Sequence, residues 1–325
     1  VLETARPILG KLPKKEPVPI SEATIEAGRI TVWGEVFDIE SRETRDGSRK
    51  IYSIDITDYT NSITLKLIQQ ANDCEKIDDI KKGTALLVTG SVEYDKYDRE
   101  NVMRPNTIFR AEMVEVVDTA KEKRVELHLH TNMSAMDGMT PAGELIDRAY
   151  KWGQKALAIT DHAPAMPDAP HRWHFENPTA LPRTIDGMVM LYGAEANVVD
   201  AKGHLDLPPR ILEYQDWVVA SIHSPCVPGL LTRKEANRIW LAVAENPYVD
   251  CIGHSEQENY RYDYDLVTKA FAANHKVVEL NGNSFNVRKD GIPNMKALLA
   301  ACLQNGCHIA VDSDAHSTWQ LRHGL

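Results

Sequence analysis

Short stretches of alternating hydrophobic and polar residues mark the first third of the chain. They occur at residues 29–37, 51–56, 62–68, 85–92 and 108–117, and turn signals such as Asp46-Gly47 separate them. Alternation with a period of two is typical of strands that bury one face, because successive side chains point to opposite sides of a strand. Five such strands in succession predict a small all-β Greek-key barrel.

The pattern changes after Arg124, where apolar runs alternate with segments of helical character. Thr140-Pro141 supplies an N-cap and a first-turn proline, Thr232 and Glu235 form a capping-box pattern, and a helix begins at Pro293. The apolar runs between the helices lie at residues 125–130, 156–160, 188–195, 217–223, 249–254, 276–280 and 308–314. Strands that alternate with helices predict parallel β/α units, and seven of them predict a closed β/α barrel.

These two patterns divide the sequence into three parts. Residues 1–22 contain several prolines and lysines and are predicted to be a linker. Residues 23–118 are predicted to form the small all-β barrel, of the OB-fold type, and residues 119–325 the α/β domain with a seven-stranded β/α barrel. The chain starts with Val1 rather than Met, which suggests a piece of a longer chain or a processed one.

Composition narrows the class of protein. No window approaches 18 consecutive apolar residues, so we predict no membrane span. The five cysteines are scattered without a CxxC spacing, which favours reduced thiols and a cytoplasmic protein. A net charge of −10 argues against nonspecific nucleic-acid binding by the whole surface, although bound metal cations would invert the local field.

Imidazoles and carboxylates lie at or just after the ends of the predicted parallel strands. In a β/α barrel these carboxyl ends meet at one mouth, where active sites are found. A single histidine at a strand end is more often structural than a ligand, but residues from several separate segments here point to the same place. We predict that the following residues bind metal: His128, His130, Asp137, His162, Glu195, His223, His254, Asp314 and His316.

Nine ligands exceed what one tetrahedral zinc ion needs, so we predict two or three divalent ions, with Glu195 bridging them. Zinc, manganese and iron all suit imidazole ligands and stay open as alternatives. Metal ions a few ångströms apart are suited to phosphate ester hydrolysis, because they activate water and bind the phosphoryl oxygens. His171 and Arg183 lie in a predicted insertion above the mouth and are our candidates for contacts with the phosphate; a packed surface loop is the alternative.

Three motifs make the second part of the chain resemble the PHP (polymerase and histidinol phosphatase) superfamily. They are His128-Leu129-His130-Thr131, Thr160-Asp161-His162 and Asp312-Ser313-Asp314-Ala315-His316. The resemblance covers about residues 124–325 and implies a seven-stranded β/α barrel with a trinuclear metal site. Stand-alone members of the superfamily usually have a histidine where Met136 stands here, and the polymerase branch implies that Asp137 takes this ligand role. The stand-alone members also continue beyond the last motif, so the expectation is either a domain truncated at its C-terminus or a natural or engineered fusion.

Residues 1–163 resemble PolC-type bacterial DNA polymerase III, through an OB domain that contains Asp58-Tyr59-Thr60-Asn61 and through Arg124-Val125-Glu126-Leu127. From about Ala163 the chain is more similar to the stand-alone phosphatases. Only 27 residues separate Glu195 from His223, which leaves no room for the exonuclease domain that interrupts the PHP domain of PolC enzymes.

Two functions of different class follow. The first is a metal-dependent hydrolase of phosphate esters, acting on a phosphorylated small molecule or on a nucleic-acid end. The second is a fragment of a replicative polymerase in which the OB domain binds single-stranded DNA and the metal domain has a structural or proofreading role. Between Gly28 and Asp118 there are 13 Lys and Arg residues against 18 Asp and Glu, and this acidic balance weakens the second hypothesis.

Overall fold

The computed structural model describes residues 5–13, 16–58, 60–112, 119–167, 169–227, 229 and 231–322. The chain divides into two compact units, Val1–Val116 and Val117–Leu325. Residues 113–117 of the strand predicted at 108–117, and residues 1–4 and 14–15 of the predicted linker, lie outside the described residues.

The first unit is a six-stranded, mainly antiparallel sheet. Its strands are β1 (Arg6–Leu9), β2 (Arg29–Glu43), β3 (Arg49–Thr57), β4 (Ser62–Gln70), β5 (Ala85–Asp95) and β6 (Glu100–Arg110), and one helical turn, α1 (Glu75–Asp78), precedes β5. Strand β5 pairs with both β2 and β6, and β6 pairs in parallel with β4, so strands β2 to β6 form a ring. Along β3 every second residue is buried, at Tyr52, Ile54 and Ile56, as expected for a strand with one face on a core.

The second unit is mixed α/β, with a curled parallel sheet. Its strands are β7 (Ala156–Ile159), β8 (Thr184–Ile185), β9 (Met188–Asn197), β10 (Trp217–Ser221), β11 (Cys251–Ile252), β12 (Val277–Asn281) and β13 (His308–Asp312). Their order is β13-β12-β11-β10-β9-β7, and the short β8 pairs antiparallel with β9. Parallel bridges from Glu126 to Leu157 and from Leu129 to Ala315 place the segment 126–129 between β7 and the chain that follows β13.

Six helices accompany this sheet in the described part of the chain, and the longer ones bury apolar faces. They are α2 (Ala142–Lys151), α3 (Pro209–Leu212), α4 (Arg233–Glu245), α5 (Tyr264–Ala273), α6 (Ser284–Val287) and α7 (Ile292–Asn305). The predicted capping box of α4 is present, since Thr232 and Glu235 exchange hydrogen bonds. Within α4, Ala236, Ile239, Trp240 and Val243 recur at helical spacing and are buried in the core.

No helix of the described residues has the length and apolar character that a membrane crossing requires.

Candidate metal centre

The nine residues predicted as metal ligands are brought together in the second unit. Three sets of side chains have ligand atoms within 4.8 Å of one another: His130 with His162 and His316, His128 with His130 and Asp314, and His162 with Glu195 and His223. Asp137 and His254 adjoin these sets. The Asp137 Oδ1 atom is 3.5 Å from His316 Nε2, and the His254 Nε2 atom is 2.8 Å from Glu195 Oε1.

Strand geometry explains how His128 and His130 reach the same place. Side chains alternate along an extended segment, so these two residues face one side while Leu129 between them packs in an apolar core. Both imidazoles are completely buried, and their Nε2 atoms are 3.2 Å apart. The segment therefore brings two ring nitrogens to a common point.

The backbone is in an uncommon conformation at two of the candidate ligands. His254 has a φ of 30° and Asp314 a φ of 52°, in the left-handed region that residues with a side chain rarely adopt. Such conformations cluster at functional sites, where the surrounding structure supports them. Gly253 precedes the first of them, and a Cβ atom there would lie 2.5 Å from Ser221 Oγ and 3.3 Å from His128 Cε1. A side chain at Gly253 would thus collide with Ser221, beside His128.

Glu195 lies at the centre of the cluster and is buried on β9. Five imidazoles approach its two carboxylate oxygens. The distances are 2.7 Å from His162 Nδ1, 2.8 Å from His254 Nε2, 3.4 Å from the Nε2 atoms of His128 and His223, and 3.5 Å from His130 Nε2. A carboxylate with imidazoles on both oxygens has the arrangement that a bridging ligand needs.

Hydrogen bonds behind the cluster fix the orientation of His223. The amide nitrogen of Asn197 donates to Asp206 and to the carbonyl of Ala163, so its Oδ1 atom faces His223 Nδ1 at 2.7 Å. The Nδ1 atom therefore carries the proton and donates it to Asn197. The neutral ring then directs the lone pair of its Nε2 atom at the Glu195 carboxylate, as metal-binding histidines do when the other nitrogen is held by a partner.

His128 is held in the same way. Its Nδ1 atom is 2.7 Å from Glu279 Oε1, while the other oxygen of Glu279 accepts from the backbone N–H of His254 and from Asn281. Glu279 thus acts as an acceptor on every side, and Nδ1 of His128 is the donor. The Nε2 atom on the other side of the ring points to the interior of the cluster.

The pKa values show how strongly the site attracts positive charge. Burial alone would raise the pKa of Glu195, but His223, His128 and His162 hold it well below its usual range. Burial lowers the pKa of His223 to about 3, so this ring is neutral at pH 7. Burial also opposes protonation of His128, yet Glu279, Glu195 and Asp314 outweigh it and raise its pKa well above the usual range. The carboxylates that attract a proton there attract a metal cation equally.

A cleft of about 340 Å³ opens beside the cluster. Besides seven of the nine candidate ligands it is lined by Met166, Asn283, Val287, Arg288 and Gln320. The Arg288 Nη1 atom is 3.2 Å from Asp314 Oδ2, and the side chain is partly exposed. Arg288 is not among the residues predicted from the sequence, although its position soon after β12, at the same mouth as the other strand ends, is a usable signal.

His171 and Arg183 are placed elsewhere. His171 caps a short 3-10 turn, Arg172–Phe175, and its Nδ1 atom accepts from the backbone of Trp173. The two terminal nitrogens of the Arg183 guanidinium donate to the Asp216 carboxylate, with Nη2 2.9 Å from Oδ1. Neither residue is among the described residues that line the cleft, and their role as phosphate contacts stays a prediction.

Comparison with known proteins gives a family match. Residues 126–288 match the sequence model described as PHP domain. A protein named "Probable phosphatase" from Clostridium novyi (strain NT) is 41% identical over 194 residues, which cover 59% of this chain and 78% of that protein. A PolC-type DNA polymerase III from Halalkalibacterium halodurans is also 41% identical over 194 residues, but these cover 13% of that protein. Among solved structures, a histidinol phosphate phosphatase from Lactococcus lactis, complexed with zinc, L-histidinol and phosphate, is 20% identical, covers 62% of this chain and 90% of that chain, and has a TM-score of 0.44.

Proposed function

The chain belongs to the PHP domain family, and we propose that it is a phosphoesterase that hydrolyses phosphate monoesters with two or three divalent metal ions. The observation that carries this proposal is the convergence of buried imidazoles on both oxygens of Glu195. The relatives named as probable phosphatases support the reaction class. A phosphorylated small molecule is the substrate class we propose, with a nucleic-acid end as the alternative.

The donor set fits metal ions and fits little else. His223 directs a nitrogen lone pair at the ionised carboxylate of Glu195. Acceptors that face acceptors in a buried site repel each other unless a cation lies between them. Imidazole nitrogens with carboxylate oxygens are typical ligands of zinc, manganese and iron.

The protein's own residues hold and orient these ligands. Asn197 and Glu279 set the tautomers of His223 and His128, and such supporting contacts raise metal affinity. Bound divalent ions supply Lewis-acid stabilisation of the phosphoryl oxygens and acidify water. We propose that Arg288, at the wall of the cleft, contacts the remaining phosphate oxygens, since a guanidinium binds them through two parallel hydrogen bonds.

A generic aryl phosphate tests the function directly. We expect turnover by the full chain that requires added Mn²⁺ or Zn²⁺, that a chelator abolishes and that the metal restores. A His204→Ala variant should keep this metal-dependent turnover. His204 is an exposed imidazole that pairs with Asp200 outside the cluster. Protein that elemental analysis shows to be metal-loaded, but that hydrolyses none of a panel of aryl, sugar and nucleotide phosphates, would contradict the proposal.

The two arginines can be separated by the same assay. We expect Arg288→Gln to lower kcat/KM by about tenfold to a hundredfold, because it removes a charged contact to the phosphate. For Arg183→Gln we expect a change below about threefold, because its guanidinium pairs with Asp216 and is not part of the described lining of the cleft. The reverse order of effects would favour Arg183 as the phosphate contact, as the sequence suggested.

The proposal for the first unit is an OB-fold barrel. The ring formed by strands β2 to β6, with one parallel pair between β4 and β6, supports it.

A role in a PolC-type polymerase is the second candidate function, and the match to such a polymerase is the observation that favours it. This second function would gain weight if the metal-loaded protein shows no turnover.

A further inference from the structure

The first unit contains a cavity of about 500 Å³ whose walls carry four basic side chains. Arg6 belongs to β1 and Arg110 to the end of β6. Lys76 belongs to α1, and Lys81 lies in the turn before β5. Asp79 is the one acidic residue of the described lining, so the wall has an excess of three positive charges.

Arg6 and Arg110 are direct partners in the antiparallel pairing of β1 with β6. Side chains directly opposite each other in such a pair lie on the same face, with Cβ atoms about 5 Å apart. Like charges at this position destabilise the pairing. An anion bound by both guanidinium groups would offset this repulsion.

Four other basic residues of this unit have carboxylate partners. Lys50 pairs with Asp78, Lys66 with Asp95, Lys82 with Asp38 and Arg104 with Glu93. Among the described residues, by comparison, no carboxylate forms an ion pair with Arg6, Lys76, Lys81 or Arg110. The guanidinium of Arg110 instead donates to the backbone carbonyl of Asp79, at 3.0 Å. This bond fixes one side of the guanidinium and leaves other N–H groups for a ligand.

A different surface of the same unit has the opposite charge. A cavity along β2, β3 and β4 is lined by five acidic residues: Asp38, Glu40, Asp55, Asp98 and Glu100. The basic cavity is thus a local exception on a unit that is acidic between Gly28 and Asp118. A phosphate ligand would be repelled by the acidic surface and attracted by the basic cavity.

We propose that this cavity binds closely spaced phosphate groups, either those of a free oligophosphate such as a nucleoside triphosphate or consecutive phosphates of a single nucleic-acid strand. Two arginines can each bind a phosphate through parallel hydrogen bonds, and two lysines add mobile point charges. The volume is in the range of pockets that hold small ligands. This site contains none of the residues of the proposed metal centre.

Calorimetric titration of the full chain with inorganic tripolyphosphate at low ionic strength tests the proposal. The test variant is Arg6→Gln with Lys81→Gln, two exposed residues whose change leaves the core intact. The matched control, Lys82→Gln with Lys96→Gln, removes the same charge from the same unit outside the cavity. We expect the affinity to fall at least about tenfold in the test variant and less than about threefold in the control.

The activity on aryl phosphate should be the same in both variants, which separates this site from the metal centre. Displacement of the tripolyphosphate by a single-stranded oligonucleotide would assign the phosphates to a strand, and displacement by a nucleoside triphosphate alone would assign them to a free nucleotide. Equal affinity in the two variants, no binding by the unaltered protein, or equally tight binding of poly-glutamate would overturn the proposal.

Discussion

Replacement of Glu195 by glutamine is expected to lower metal-dependent hydrolysis of an aryl phosphate by at least about a thousandfold, because the charge stabilisation that metal ions provide is worth several kcal/mol. The amide has nearly the same shape, but it is neutral and one of its two ends donates hydrogen bonds. It cannot present two negative oxygens to the imidazoles that now surround them at 2.7–3.5 Å. Initial rates with Mn²⁺ and with Zn²⁺, together with the metal content per chain, measure the effect.

Glu213→Gln provides the matched control, because Glu213 is an exposed carboxylate in the same unit. This change removes one negative charge and should leave both rate and metal content unaltered. A Glu195→Gln protein with normal activity and a full metal complement would remove Glu195 from the site. Loss of activity with full metal content would assign it to catalysis rather than to metal retention.

The convergence of the nine candidate ligands could be predicted because it follows from topology. Parallel strands have their carboxyl ends at one edge, so residues just after the strands meet whatever the details of the loops. His162 and Glu195 illustrate this point, since a parallel bridge joins these two residues from neighbouring strands. The structure brings all nine together, and metal binding by them is the part that experiments must establish.

The boundaries of the strands were less predictable. The sequence suggested a strand at residues 108–117, whereas β6 is Glu100–Arg110. Pro105 lies within β6, and a proline in a strand normally argues against it because it cannot donate to the ladder. In the pairing of β5 with β6, Pro105 lies opposite Gly90, and the register shifts between Thr89 and Gly90. This irregularity accommodates the proline. Nothing in a local pattern identifies such a bulge in advance.

The residues that orient the ligands were also missed, for a different reason. Glu279 stands inside an apolar strand, where an ionised carboxylate is costly unless donors surround it. The donors are His128, the backbone of His254 and Asn281, which come from three different segments. A carboxylate in an apolar run is a signal that can be read from the sequence, but its partners cannot. The same holds for Arg183, whose partner Asp216 is 33 residues away.

Removal of the metal is expected to destabilise the second unit strongly. A ligand that binds only the folded state adds about 4 kcal/mol when its free concentration is a thousand times its dissociation constant. For a unit of this size, that corresponds to a fall of roughly 8–16 °C in Tm when a chelator removes the metal. Scanning calorimetry of the full chain with metal and with excess chelator measures it. The transition of the unit Val1–Val116 should not move, because none of the nine candidate ligands lies in it.

The direction of this effect follows from the buried acceptors. Without a cation, the lone pair of His223 faces the Glu195 carboxylate. The folded state then keeps these groups desolvated and in mutual repulsion, whereas unfolding returns them to water. Glu195→Gln should therefore have a Tm that responds little to chelator, because it has lost the bridging charge. A chelator-stripped protein that unfolds at the temperature of the metal-loaded form would contradict tight binding, since a ligand specific to the folded state must stabilise that state.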